Sequence, residues 1–153
     1  MNKATVSLDS VYAMFDELDQ RNRRRVFRTT LNRATNIVIR EARKELRKHV
    51  KNTRTKNKWN GRTMEWGIRK KVHRNNEGAT IHIMGDFRLK FFEMGTVQRF
   101  TKKGKSGRAY RGAIPAYHFF QNTVRRVEQP VFNEISQLLS QQVRKINAKY
   151  QNK

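Results

Sequence analysis

Apolar residues recur at steps of three and four over the first third of the chain: Val11, Met14, Phe15 and Leu18, then Phe27, Leu31, Ala34, Val38, Ala42, Leu46 and Val50. That spacing lines one face of an α-helix. Ser7 or Asp9 offers a capping oxygen at its start, and the basic cluster QRNRRRVFR is a place where it could loosen. One long helix, or two in series, is expected over 8–51. The connection KNTRTKNKWNGR at 51–62 has no apolar period and reads as a polar, basic linker that Trp59 half-covers. The period then changes to two. Met64, Trp66, Ile68 and Val72 alternate, NNEG at 75–78 has turn chemistry, and Ala79, Ile81 and Ile83 alternate again. This predicts a β-hairpin with one apolar face and Trp66 in its core. GDFRLKFFEMGT at 85–96 carries apolar residues on both parities, as a third strand or a short helix ending at Gly95 would. Residues 62–96 thus read as a hairpin or small sheet.

After a loop over 97–113, the helical period returns with Phe119, Phe120, Val124, Val127, Phe132, Ile135, Leu138, Leu139, Val143 and Ile146. A second long helix is expected over 118–148, kinked or broken near Gln129 because Pro130 falls inside it, with frayed last residues. The fold class is α+β: long N-terminal and C-terminal helices packed on a small antiparallel β-sheet, with a long basic loop, in a single domain spanning 1–153.

Charge changes this picture more than size does. Lys and Arg number 35 against 12 Asp and Glu, a formal net charge of +23. Such an excess favours a polyanionic partner: nucleic acid, an anionic membrane or an acidic protein surface. Two groups of cations compete for that role. The first helix carries Arg24, Arg25, Arg28, Arg47 and Lys48 away from its apolar stripe, and the loop carries Arg99, Lys102, Lys103, Lys105, Arg108 and Arg111 with no acidic residue among them. The absence of cysteine excludes disulfides and thiolate metal sites. No apolar run approaches the roughly 20 residues that span a bilayer, so a soluble protein without membrane contact is expected.

Catalytic chemistry finds little support. His49, His73, His82 and His118 lack the spacing of a zinc motif, and the carboxylates outside the first helix do not cluster as a two-metal nuclease requires. His73 and His82 facing each other across the hairpin, with Asp86 or Glu93, is the one arrangement that would serve such an enzyme. GKSG at 104–107 does not complete the phosphate-loop pattern. Phe100 and Tyr110 among cations suit either single-stranded nucleic acid or a neighbouring subunit. No cofactor and no metal are expected.

Two short motifs remain. FFEMGT at 91–96 and IPAYHFFQNTV at 114–124 flank the basic loop. Together they resemble the tail-completion, or neck, proteins of tailed double-stranded DNA phages. That family joins an aromatic-Glu-hydrophobic-Gly-Thr step, across a variable loop, to a proline-containing lead-in to the last helix. Here the family's second proline is replaced near Tyr117 and His118. The resemblance implies an assembly motif made of Phe91, Phe92, Glu93, Gly95, Thr96, Pro115, Phe119 and Phe120. Glu93 and Thr96 would tie the chain around Gly95, and Pro115 would fix the start of the helix. It also implies a structural, non-enzymatic virion protein, assembled in the host cytoplasm. The protein would form a hexameric or dodecameric homo-oligomeric ring in the neck, with portal or adaptor and tail proteins as partners and non-specific contact with genomic DNA. The alternative from another class is a basic cellular RNA- or DNA-binding protein.

Overall fold

The computed structural model describes residues 20–74, 78–101, 107 and 109–151. The expected helical residues 8–19, the turn tip at 75–77 and four loop cations, Lys102, Lys103, Lys105 and Arg108, lie outside the described residues.

The fold is α+β, with long N- and C-terminal helices and a small two-stranded antiparallel sheet. Helix α1 spans Gln20–His49. Most of its buried positions step by four: Val26, Thr30, Ala34, Val38, Ala42, Leu46 and, just past its end, Val50, with Thr35 and Ile39 widening the face in the middle. Each such step advances about 40° around a helix of 3.6 residues per turn. The face buried in the first turns is therefore not the face buried in the last. This corrects the expected stripe at its start, where Phe27 is exposed and Leu31 half-buried while Val26 and Thr30 are inside. The helix ends with Arg47, Lys48 and His49 in its last turn, and Asn52 follows at φ 59°, a left-handed conformation that asparagine tolerates.

Met64–Gly67 forms a 3-10 turn, not the start of a strand, and Thr63 caps it by accepting a hydrogen bond from the Trp66 amide at 3.2 Å. The hairpin is correspondingly shorter than the alternation suggests: β1 is Arg69–Val72 and β2 is Ala79–His82. Helix α2, Arg88–Met94, settles the ambiguous segment as helix and ends at Gly95. Asp86 supports its start, accepting from the Arg88 amide at 3.0 Å and from the Arg88 guanidinium at 2.7 Å. Helix α3 runs unbroken from Phe119 to Gln151. Pro130 costs it one backbone hydrogen bond without ending it, and of the residues expected to fray, 152–153 lie outside the described residues.

Contacts group the chain into two compact units. One takes in the described residues up to Val38, then Lys70–Thr80, then Val127 onward. Its core is Val26 and Val143, with Leu139 and Ile146 against them. Lys70 joins in from β1, its Nζ donating to the Asn32 carbonyl and to Asn36 Oδ1. Burial lowers the pKa of that ammonium. The other unit takes in Ile39–Arg69 and Ile81–Arg126. Its larger core gathers Ala42, Leu46, Met64, Ile68, Leu89 and Phe119. The close approach of its segments requires Gly67, since a Cβ there would sit 2.6 Å from the Asp86 Cβ.

Candidate functional site: a laced junction at the base of a basic stem

The two motifs that flank the loop meet in space, within the larger unit. Backbone bonds lace them: the Tyr117 amide donates to the Phe92 carbonyl at 2.9 Å and the His118 amide to the Glu93 carbonyl at 3.2 Å. Beyond Gly95, Thr96 and Ile114 pair twice. The Thr96 amide donates to the Ile114 carbonyl, and the Ile114 amide to Thr96 Oγ1, both at 2.9 Å.

Glu93 closes the junction. Its Oε2 accepts from the Phe120 amide at 2.8 Å and its Oε1 from the Gln121 amide at 3.0 Å. A helix leaves its first N–H groups without internal partners and carries positive potential there, so a carboxylate is the natural acceptor. The preceding residue, His118, sits at φ 48°, and the cap for α3 comes instead from a side chain 27 residues away from Phe120 in sequence. Glu93 and Thr96, on either side of Gly95, thus tie the two motifs to each other. Gly95 is required for two reasons. Its φ is +74°, and a Cβ would stand 2.9 Å from the Ala116 nitrogen and 3.0 Å from the Ile114 oxygen.

Aromatic packing holds the junction from below. Phe119 is fully buried, and Phe92 and Phe120 pack against the same core. Tyr117 stacks on His49 with ring centroids 4.6 Å apart. Phe91 points away from this core and meets Phe87 edge-on at 6.0 Å. Pro115 lies in the extended run before α3, not at its first turn. With Met94, Thr96, Val97 and Ile114 it lines an open groove of about 700 Å³.

Above the junction the arms of the loop pair with each other. Arg99 donates its amide to the Gly112 carbonyl and Arg111 returns one to the Arg99 carbonyl. Thr101 and Ala109 bond at 2.9 Å, and Phe100 and Tyr110 form an antiparallel bridge with rings 5.5 Å apart. The stem exposes Val97 (85%), Tyr110 (59%) and Phe100 (53%), with Arg99 and Arg111 between them. An isolated stem has no use for so much apolar surface in water.

The helical cations divide. Arg24, Arg25 and Arg28 are exposed on the smaller unit. Arg47 is not available, because it donates to both oxygens of Glu65 at 3.1 Å. Lys48 is held by Glu45 at 2.8 Å.

The alternation in residues 64–68 hid two further features. Glu65 is buried, bonded by Arg47 and by Thr53 Oγ1 at 2.7 Å, with Arg54 nearby. Its signal in the sequence was a lone carboxylate between apolar neighbours, which in a basic chain has to be paired. Trp66 is not core; the guanidiniums of Arg62 and Arg69 lie 3.8 and 4.2 Å from its ring centroid. Glu45 is a second ionic centre. Hydrogen bonds from Lys48 and then Arg126 hold its pKa down to about 2. Burial pushes the Asp86 carboxyl up, but hydrogen bonds from Arg88 outweigh it and the net shift is downward. His73 donates its amide to the Gly78 carbonyl and pairs its ring with Thr80, so it does not face His82 as a metal pair would. Among the described residues no helix is long and apolar enough to cross a membrane.

Comparison with protein-family models, curated proteins and solved structures gives no match.

Proposed function

We propose that this chain is a structural subunit of the neck of a tailed double-stranded DNA phage, a ring between portal and tail through which the genome passes. The observation that carries the reading is the laced junction. The residues that resemble the neck family's two motifs are brought together by Glu93, Gly95 and Thr96, and they present a stem whose apolar residues need a partner. A loop built this way suits reaching into a neighbouring subunit or ring. Its arms are pre-paired, so less ordering entropy opposes docking. The rim of cations suits an acidic portal or adaptor surface and steers the encounter. Exposed Arg24, Arg25 and Arg28 suit passing DNA, which they would contact through phosphates without reading sequence.

Closed rings arise when one surface of a subunit meets a different surface of the next and the rotation closes, as in a hexamer or dodecamer. The role is assembly, not catalysis. Inactivating the gene in its phage tests the reading: DNA-filled heads and free tails that fail to join are expected. Flanking portal, capsid and tail genes would agree. Normal infectious particles, or a monomer bound to cellular RNA with no ring in any context, would overturn it.

A further inference from the structure

We propose that Trp59, Phe87 and Phe91, with the Arg62–Trp66–Arg69 stack, form a platform for a single-stranded polynucleotide, bound by base stacking and phosphate contacts. The three rings are exposed: Trp59 is 61%, Phe87 58% and Phe91 38% accessible. They make a row, with Trp59 and Phe87 centroids 6.1 Å apart at 45° and Phe87 and Phe91 6.0 Å apart at 85°. Tilted contacts leave ring faces open, where a parallel stack would cover them. Trp59 meets Phe87 and Gly67 lies against Asp86, so residues 59–69 run beside the start of α2.

Charge decides the class of partner. Arg62 and Arg69 are exposed and lie against Trp66, which limits their motion and leaves their N–H groups to a ligand; among the described residues neither pairs with a carboxylate. The carboxylates of this region, Glu65 and Asp86, are already bound by Arg47 and Arg88. A second copy would bring the same positive excess to the surface. A chain of phosphates with free base faces answers both features at once. A duplex does not, since its bases are stacked on one another. Stacking uses the base faces and the arginines contact phosphates, so the proposed binding mode does not call on the sugar.

A net charge of +23 would by itself favour any nucleic acid, so the test separates stacking from charge. The full chain is titrated at several salt concentrations with oligothymidylate of about 20 nucleotides and with an abasic strand of equal length and charge. The wild type is expected to prefer oligothymidylate by about tenfold or more, with quenching of Trp59 fluorescence. Oligouridylate should bind about as well as oligothymidylate. Trp59→Ala and Phe91→Ala should remove the preference while leaving abasic affinity unchanged, and Trp59→Phe should keep most of it. Both sites are exposed, so circular dichroism should show these variants folded. Equal affinity for the two strands would overturn the proposal, as would variants that keep the preference. Loss of head–tail joining in Trp59→Ala with the base preference intact would assign the rings to a protein interface instead. The binding outcomes do not depend on whether the chain is a neck protein; only the head–tail joining readout does.

Discussion

Glu93 does more than any other single side chain to hold the two motifs together, because it replaces the missing local cap of α3 with a charged acceptor. Replacing a capping group by alanine costs about 1–2 kcal/mol. Glu93→Ala is expected to lower stability by that amount in urea unfolding, and a loss below about 0.5 kcal/mol would show that the cap carries little. Gly95→Val faces both positive φ and the backbone of Ala116 and Ile114. It should cost roughly 1–3 kcal/mol or prevent assembly, whereas an unchanged melting temperature with normal particle yield would remove Gly95 from the account. Gly95 was legible in the sequence because a Gly-Thr step after an apolar run asks for a turn. Glu93's partner was not: nothing local marks a bond 27 residues away. Trp66 was misjudged because its alternation with Met64 and Ile68 has the spacing of a strand's buried face.

The long helices were readable because their apolar period persists for many turns. The short elements were not. A four-residue 3-10 turn followed by a four-residue strand alternates much as one longer strand does, and α2, seven residues long, is too short to establish a period. Pro130 was expected to kink or break α3; the helix does not break there, since it can lose one bond where its neighbours stay packed, and Val127 is buried three residues before it. Arg126 of α3 pairs with Glu45 of α1 at 2.9 Å and with Glu41 at 3.8 Å. The folded pKa of Glu45, about 2, lies below its ordinary value of 4.5. Its stabilisation is therefore full above pH 4.5 and lost as pH falls towards 2. Lys48 and Arg126 are half-exposed and screened, so about 1–2 kcal/mol is expected. The stability gap between wild type and Glu45→Gln should be present at neutral pH and close in that acid window. A gap that does not change with pH would mean the carboxylate's charge is not what stabilises.

At the scale of the whole molecule, the positive excess is unevenly committed. Carboxylates hold Arg47, Lys48, Arg88 and Arg126, while Arg24, Arg25, Arg28, Arg99 and Arg111 are exposed. The stem's apolar residues favour a packed protein partner over a sliding duplex. Reversing Lys102, Lys103 and Lys105 to Glu is therefore expected to lower particle assembly. Particles of normal yield that leak DNA would place this loop at the lumen instead. The most direct measurement is the copy number of this chain in purified virions relative to the portal protein, by quantitative mass spectrometry. A neck ring predicts one copy for each portal subunit or one for every two. Absence of the chain from DNA-filled, tailed particles would contradict the account.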